Sequence, residues 1–203
     1  MITLVDYGLG NIHAFANIYR RMNVSCIVAR TAVDLANAER IILPGVGAFD
    51  WAMQKLEDSG MRATLDELVM RQGCPVLGIC VGMQMMATCS EEGTLPGLGW
   101  IDAEVKRFDE RRFHQKTHLP HMGWNDVTPS TANRLFEGLD SPRFYFLHSY
   151  YFAPRGSAHT LATTDYNGIF TSAVGNGRIF GVQFHPEKSH EWGVRLLKNF
   201  AEI

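Results

Sequence analysis

Short apolar runs alternate with amphipathic stretches through the first half of the chain. Apolar residues recur at three- and four-residue spacing between Asn11 and Met22, which predicts a helix, and residues 51–72 predict one or two more helices, broken near Ser59-Gly60. The apolar runs that predict strands are residues 2–5, 26–29, 40–43 and 75–79. Because strands alternate with helices at this spacing, we expect a parallel sheet covered by helices on both faces.

The second half of the chain is richer in short extended runs. These runs are residues 100–108, 144–147, 160–164 and 170–174. Antiparallel pairs added to the edge of the central sheet would explain them. Residues 178–184 predict a further strand, and residues 191–201 predict a closing amphipathic helix. We therefore predict one α/β domain over residues 1–203, with a mixed, mostly parallel central sheet flanked by helices and antiparallel strands added in the second half.

Composition and charge argue against several classes of partner. The chain has 203 residues and a net charge of −2, so no general attraction to nucleic acid or to an anionic membrane is expected. No apolar run approaches the roughly 20 residues that a membrane-spanning helix needs. Residues 106–116 are rich in lysine and arginine, but Asp109 and Glu110 are interspersed among them. This pattern favours a solvated loop or hairpin over a nucleic-acid site.

The cysteines and histidines show no metal-binding pattern. Four cysteines are present without a CxxC pair, and no HExxH or similar spacing occurs. We therefore expect no metal and no other cofactor. The first residues resemble a strand rather than a signal peptide, and the cysteines are too few for a disulfide scaffold. A reduced, cytoplasmic protein is the resulting expectation.

The segment Gly78-Ile79-Cys80-Val81-Gly82 is the sharpest local signal in the sequence. An apolar strand leads into it and a helical segment, predicted over residues 83–87, leaves it, as in the G-x-nucleophile-x-G elbow. Small residues on both sides of the nucleophile suit so tight a turn, and the start of a helix favours a thiolate. The alternative is a buried structural cysteine. The flanking strand and helix favour a nucleophile at Cys80.

A cysteine nucleophile needs a base, and His185 is the best candidate among eight histidines. It follows the predicted strand and is followed by Pro186 and Glu187. Side chains two apart in an extended segment point the same way, so Glu187 is expected to hold the His185 ring. By itself, this triplet would fit a surface loop. Together with the elbow it indicates a Cys80–His185–Glu187 triad at the end of the sheet.

These motifs, GICVGMQ at 78–84 and FHPEKS at 184–189, resemble those of class I, triad-type glutamine amidotransferases. The resemblance extends over essentially the whole chain to one group, the HisH glutaminase subunits of imidazole glycerol phosphate synthase. Three segments are more specific to this group than the triad. They are LPGVGAF at 43–49, PHMGWN at 120–125 and LHSY at 147–150, and DYGLGN at 6–11 adds support.

The resemblance implies a glutaminase mechanism. Cys80 would attack the side-chain amide carbon of glutamine, His185 would protonate departing ammonia and then activate water, and Glu187 would orient His185. The backbone N–H of Val81 would form half of the oxyanion hole, and a peptide flip in the PGVG loop would supply the rest from Val46 or Gly47. The alternative for this loop is a tight turn with no moving part. The positions that would hold glutamine are Gln84, Glu92, Ser149 and Tyr150.

The resemblance also implies a partner. The family's glutaminase passes ammonia through a channel to a cyclase subunit, HisF, which is a (β/α)8 barrel. Together they convert N′-phosphoribulosylformimino-AICAR-phosphate into imidazole glycerol phosphate and AICAR, a step in histidine biosynthesis. The positions expected at or near this interface are Asn11, Trp124, Tyr145 and Lys188. The alternative for Trp124 is core packing, and the alternative for Lys188 is a solvated lysine.

Three other functions stay open from the sequence. Ala14 stands where the family commonly has serine, which bears on the choice of partner. It allows a HisH-like paralogue that supplies ammonia to amidinate a sugar in surface-polysaccharide synthesis. A catalytically idle subunit that binds glutamine or a partner is an alternative of another class. A stand-alone cysteine hydrolase is disfavoured because it offers no role for the PGVG and PHMGWN segments.

Overall fold

The computed structural model describes residues 1–114, 117–130 and 133–203, and thirteen strands lie in those ranges. In the first half of the chain these are β1 Ile2–Val5, β2 Cys26–Ala29, β3 Ile41–Gly45, β4 Val76–Cys80 and β5 Cys89–Ser90. In the second half they are β6 Ala103–Arg107, β7 His121–Asp126, β8 Thr128–Pro129, β9 Arg143–His148, β10 Tyr150–Pro154, β11 Thr160–Asp165, β12 Ile169–Asn176 and β13 Ile179–Val182.

The helices are concentrated in the first half and at the end of the chain. Those of α type are α1 Ile12–Arg21, α2 Ala32–Leu35, α3 Phe49–Asp58, α4 Arg62–Asp66, α5 Val81–Gln84 and α6 His190–Ala201. A π-helical turn, Glu67–Arg71, continues α4. Short 3₁₀ turns are Glu110–Arg112, Arg134–Phe136, Ser157–His159 and Pro186–Lys188.

One large mixed sheet organises the fold. Its strands lie in the order β2-β1-β3-β4-β13-β12-β10-β6-β5, and β11 pairs with β12 and with β8. The five neighbouring strands β2, β1, β3, β4 and β13 are mutually parallel. β12 pairs antiparallel with β13, and β10 and β11 each pair antiparallel with β12. The predicted α/β fold with a mixed sheet is therefore confirmed, including the antiparallel additions from the second half.

The central parallel strands β1, β3 and β4 are apolar except for Thr3, because both faces of the sheet are covered there. Every residue of β1, β3 and β4 is buried. On one side, α1 packs near α6, and the Tyr19 hydroxyl donates to the Leu197 carbonyl at 3.2 Å. β3 continues through Pro44 to Gly45, two residues past its predicted end, because it stays paired with β4 as far as Cys80.

A second, two-stranded sheet differs from the sequence-based expectation. β7 and β9 pair antiparallel with each other, with His121 opposite His148 and Trp124 opposite Tyr145. The run 144–147 was expected at the edge of the central sheet, and no strand was predicted for the segment that contains β7. The physical reason is that His121 is buried while Met122 is exposed, so the usual apolar-in alternation is reversed in β7.

The basic stretch contains charge pairs within one exposed segment. Arg107 lies 3.2 Å from Glu110, and Arg111 lies 2.8 Å from Asp109. These pairs fit the predicted solvated loop; Lys116, at its end, lies outside the described residues. In the part of the chain that the structure describes, no helix is long and apolar enough to cross a bilayer. Over the same ranges, no group of three or more His, Cys, Asp or Glu side chains could hold a metal ion.

Candidate active site

Cys80 lies at a strained turn between β4 and α5. Its backbone has φ 56° and ψ −114°, a combination that non-glycine residues rarely adopt. The turn is possible because its neighbours lack side chains. A Cβ at Gly82 would lie 1.9 Å from the Leu43 carbonyl oxygen, and a Cβ at Gly78 would lie 2.7 Å from the Gly82 oxygen. Strand, turn and helix therefore pack backbone against backbone here.

The helix after the nucleophile is shorter and earlier than predicted. α5 spans Val81–Gln84, whereas the sequence pattern predicted residues 83–87. The sharp turn at Cys80 begins the helix at the very next residue, and Met83 to Ala87 are buried in the core. This early start places the backbone N–H of Val81 next to the sulfur-bearing residue. Its assignment to an oxyanion hole stays a prediction.

His185 and Glu187 form a hydrogen-bonded pair, but not in the backbone conformation that was expected. β13 ends at Val182, and Pro186–Lys188 is a 3₁₀ turn rather than an extended segment. His185 itself is extended, and the turn after it brings Nδ1 to 3.0 Å from Glu187 Oε1. The two side chains are only 5% and 3% exposed. The contact was predicted correctly from an incorrect local geometry.

The charge state of His185 follows from its neighbours. Burial by itself would lower the pKa of this imidazole, but hydrogen bonds to Cys80 and Glu187 and the attraction of both groups raise it to about 10. Because Nδ1 is bonded to Glu187, the other ring nitrogen is left to face the sulfur. A protonated imidazole beside a sulfur is an arrangement that can activate a thiol and then protonate a leaving amine.

The His185 turn is held to β9 and to α6. The His185 N–H donates to the Tyr145 carbonyl at 2.9 Å. Ser189 Oγ donates to the His185 carbonyl at 2.6 Å and accepts from the Tyr145 N–H at 3.0 Å. A Cβ at Gly193 would lie 1.8 Å from the Pro186 oxygen, so α6 packs directly on the turn. The His185 turn is therefore attached to β9, the strand that carries the predicted interface residue Tyr145.

A cavity of about 330 Å³ opens over Cys80, and ten of the fourteen predicted site residues line it. Those lining it are Val46, Gly47, Cys80, Val81, Gln84, Glu92, Ser149, Tyr150, His185 and Lys188. Glu187 lies behind His185, and Asn11, Trp124 and Tyr145 lie outside the cavity. Three lining residues were missed from the sequence: Pro120, Leu147 and His148. They belong to the two recognised segments at 120–125 and 147–150, which is the signal that could have found them.

The loop between β3 and α3 is packed at one end and open in its middle. A Cβ at Gly45 would lie 2.4 Å from the Gly82 nitrogen, so this end cannot move away from the elbow without losing contact. Gly47 has φ 87°, and a Cβ there would meet nothing closer than Trp51 at 3.8 Å. Val46 is 41% exposed. The space around the 46–47 peptide permits it to rotate, and the peptide flip itself stays a prediction.

Reciprocal hydrogen bonds fix the other end of this loop. Glu92 Oε2 accepts from the Phe49 N–H at 2.9 Å, and Asp50 accepts from the N–H groups of Thr94 and Leu95 at 2.9–3.1 Å. The start of α3 and the Glu92 segment therefore hold each other. Burial raises the pKa of the Glu92 carboxyl, although the bond from Phe49 partly opposes this effect. A carboxylate at the cavity wall can bind an ammonium group.

Gln84 is only 2% exposed, and its amide group is held by the protein. Its Nε2 donates to the Tyr150 carbonyl at 3.0 Å and to Gln183 Oε1 at 3.1 Å. Gln183 Nε2 in turn lies 3.8 Å from Cys80 Sγ. Gln183 was missed from the sequence. Its position two residues before His185, in the run 178–184 that the sequence predicts as a strand, is the signal that could have found it.

Two buried histidines connect the cavity with the second sheet. His148 Nδ1 lies 2.8 Å from the Tyr150 carbonyl, which can only accept, so this nitrogen carries the proton. His148 Nε2 must then accept from His121 Nδ1 at 3.0 Å, and His121 Nε2 accepts from the Asn125 amide at 3.2 Å. Burial lowers the pKa of His148 to about 3 and that of His121 to about 4, so both rings are neutral.

The predicted interface residues lie at the surface. Trp124 is 41% exposed and its ring stacks on His190 at 5.3 Å, which contradicts core packing. Lys188 Nζ lies 5.7 Å from the centre of the Tyr145 ring and also lines the cavity, so it is not simply a solvated lysine. Asn11 caps α1 by accepting from the Ala14 N–H at 3.3 Å. Contact of these residues with a partner stays a prediction.

Comparison with known proteins agrees with this geometry. A family model described as glutamine amidotransferase class-I matches residues 3–203. The imidazole glycerol phosphate synthase subunit HisH of Bdellovibrio bacteriovorus is 55% identical, and that of Leptospira interrogans is 49% identical, each over the full length of both chains. A crystal structure of a glutamine amidotransferase superposes with a TM-score of 0.75 at 19% identity, covering 100% of this chain and 99% of that one. The chain belongs to the class I glutamine amidotransferase family.

Proposed function

We propose that this chain is the glutaminase subunit of an imidazole glycerol phosphate synthase, with Cys80, His185 and Glu187 as its catalytic residues. One observation carries the proposal. The elbow after β4 and the turn after β13 come from distant parts of the sequence, yet they meet in one cavity lined by the residues expected to bind glutamine. The full-length similarity to two HisH subunits supports the choice of subfamily.

The chemistry proceeds in two steps. The Cys80 sulfur attacks the side-chain amide carbon of glutamine, and the C–N bond breaks as His185 gives its proton to the departing ammonia. Water, deprotonated by His185, then attacks the thioester, which releases glutamate and returns the proton to the enzyme. Glu187 keeps His185 oriented and favours its protonated form between the two proton transfers. The N–H of Val81, joined by one from Val46 or Gly47, stabilises the oxyanion, and one such donor typically contributes about 3 kcal/mol.

The walls of the cavity suit the polar end of glutamine. Glu92 supplies a carboxylate whose second oxygen is held by the Phe49 N–H, leaving the first oxygen for the substrate's ammonium group. Ser149 and Tyr150 supply the segment next to it. Gln84 completes this wall, and its amide N–H groups are already committed to Tyr150 and Gln183. It therefore shapes the site and presents its oxygen rather than its nitrogen.

The expected partner is a cyclase of the HisF type, a (β/α)8 barrel, bound against the face formed by β7 and β9. Met122 and Trp124 on β7 are 61% and 41% exposed, and Leu147 on β9 is 38% exposed while also lining the cavity. An apolar surface beside the site of ammonia release suits a partner that receives ammonia without passing it through water. Asn11, Tyr145 and Lys188 are proposed to lie at or near this interface.

A reduced, cytoplasmic setting is part of the same proposal. Cys26, Cys74, Cys80 and Cys89 are all free thiols. Unpaired cysteines are typical of reducing compartments, and the proposed nucleophile itself requires a free thiol.

The test is glutamate release from glutamine by the chain alone and with a cyclase subunit, each with and without the phosphoribulosyl substrate. We expect strong stimulation when cyclase and substrate are both present, because substrate on the partner would signal that an ammonia acceptor is ready. Binding of the two subunits is confirmed first by sedimentation. A complex that forms but releases no glutamate would contradict the glutaminase assignment and favour the idle subunit.

The same assay separates the two acceptors. Glutamate release that requires this chain's Cys80 but ignores the phosphoribulosyl substrate would overturn the histidine-pathway assignment. The glutaminase would then be assigned to the sugar-amidinating paralogue. Ala14 lies in α1, three residues after the proposed interface residue Asn11. A residue at this place would contact the partner, so a different residue there would fit a different partner.

A further inference from the structure

A buried glutamine contacts the sulfur of Cys80 directly. Gln183 is completely buried, and its Nε2 lies 3.8 Å from Cys80 Sγ. Its backbone N–H donates to the Ser172 carbonyl at 2.9 Å, which fixes the residue against β12. A buried carboxamide is uncommon unless its polar atoms are used. The proposed triad gives it no role.

Hydrogen bonding determines which end of the Gln183 amide faces the sulfur. The Tyr150 carbonyl can only accept, so the Gln84 atom 3.0 Å from it must be the nitrogen. That same nitrogen lies 3.1 Å from Gln183, and so it must face the Gln183 oxygen. The Gln183 nitrogen is therefore turned toward Cys80. The orientation follows from a backbone carbonyl and does not depend on an arbitrary choice between oxygen and nitrogen.

An N–H group aimed at sulfur favours the thiolate over the thiol. A thiolate accepts hydrogen bonds and donates none, so a fixed donor stabilises it. The neutral thiol can instead donate to the Leu147 carbonyl, which lies 4.0 Å from Sγ. Gln183 and Leu147 thus contact the sulfur with opposite hydrogen-bonding character. Only the contact from Gln183 strengthens when the sulfur becomes charged.

We propose that Gln183 is a positioning residue of the glutaminase, donating to the Cys80 thiolate through Nε2 while holding Gln84 at the substrate wall through Oε1. This inference rests on the proposed role of Cys80 as nucleophile. One rigid amide thereby links the two sides of the cavity: the sulfur that attacks and the wall that holds the substrate. The Tyr150 carbonyl that accepts from Gln84 also accepts from His148 Nδ1, and His148 Nε2 accepts from His121.

The two ends of the amide can be separated by substitution. Gln183→Met has similar size and shape but removes both hydrogen bonds. Gln183→Glu keeps an oxygen for Gln84 and, in its ionised form, replaces the donor to sulfur by a carboxylate oxygen that repels the thiolate. We expect kcat for glutamate release to fall about tenfold in Gln183→Met, the order of effect for a hydrogen bond to a charged group, and at least as much in Gln183→Glu. We expect KM for glutamine to rise in Gln183→Met and to stay near the wild-type value in Gln183→Glu.

A second readout does not depend on glutamine turnover. Alkylation of Cys80 by iodoacetamide, followed by mass spectrometry across pH, reports how readily the thiolate forms. In Gln183→Met the alkylation rate of Cys80 near neutral pH should be about tenfold lower than in the wild type. The exposed thiol of Cys89 in the same sample is the internal reference and should be unaffected.

Asn199→Leu is the matched control. Asn199, in α6, is also a buried carboxamide, 6% exposed, and its Nδ2 donates to the carbonyls of Leu135 and Glu137. It does not line the cavity over Cys80. Its replacement should reduce stability without moving the Cys80 alkylation profile. Unchanged alkylation and kcat in folded Gln183→Met, or an equal change in Asn199→Leu, would overturn the role of Gln183. Wild-type protein that alkylates normally but releases no glutamate would instead overturn the proposed function.

Discussion

Replacing Cys80 by alanine should reduce glutamate release from glutamine by at least about 10³-fold in the complex with the cyclase. The thioester cannot form without the sulfur, and removing a nucleophile from a triad usually costs most of the catalysis that the triad provides. The variant should fold, because alanine is smaller than cysteine and the backbone at this position already has a strained φ of 56° in the wild type. Steady-state glutamate release, normalised to folded protein, measures the effect.

The control for this replacement is Cys89→Ala. Cys89 is an exposed free thiol on β5, outside the cavity, so its removal should leave glutamate release near the wild-type value. The Cys80→Ala variant should still bind the cyclase, since the proposed interface does not include the thiol. Retention of more than a tenth of wild-type activity by Cys80→Ala would show that another group or a solvent molecule attacks glutamine.

Replacing His185 by glutamine should lower glutamate release by about 10²- to 10⁴-fold, the range found for removal of a positioned acid–base group. Glutamine is chosen because it can keep a hydrogen bond to Glu187 while supplying no titratable nitrogen. The loss should fall mainly on kcat, because His185 acts on the reacting atoms and does not hold the substrate's ammonium or carboxylate group. Comparison of kcat and KM with the wild type measures this.

The companion variant, Glu187→Gln, changes the pH dependence in a defined direction. The negative charge of Glu187 helps to raise the pKa of His185 to about 10, although burial opposes it. Without that charge the protonated imidazole loses its proton at lower pH. The alkaline limb of kcat/KM should therefore move toward neutral pH, and the activity should fall less than in His185→Gln. A limb that stays in place would mean that Glu187 does not interact with the imidazole during catalysis.

The central part of the fold was predictable because local and long-range signals agree there. β1, β3 and β4 are buried throughout and apolar except for Thr3, the pattern expected of a sheet covered on both faces. The elbow at Cys80 was predictable because Gly78 and Gly82 lie so close to neighbouring backbone atoms that any side chain would clash with them. Both signals are visible in a short stretch of sequence.

The second sheet was not predictable from the same rules. In β7 a histidine points inward and Met122 and Trp124 point outward, which reverses the usual relation between polarity and burial. His121 is stabilised inside by Phe146, Tyr166 and the bond to His148. These contacts join residues that are far apart in sequence. An alternation rule applied to residues 121–126 alone has no means of finding them.

The chemistry around the nucleophile was only partly predictable for a similar reason. The pairing of His185 with Glu187 was found because the residues are neighbours in sequence. The contact of Gln183 with Cys80 joins residues 103 positions apart, and it depends on β13 lying next to β4 in register. Motifs identify groups that react, whereas the groups that hold them in place are revealed by the packing.

The most direct test of the account is to identify the atom that glutamine acylates. The complex with the cyclase is mixed with a chloroketone analogue of glutamine, which carries an electrophilic carbon at the place of the amide, and the labelled chain is digested and sequenced by mass spectrometry. We expect a single label on Cys80, formed in step with the loss of glutamate release and slowed by added glutamine. Loss of activity with Cys80 unlabelled, or a label on another residue that glutamine also protects, would contradict it.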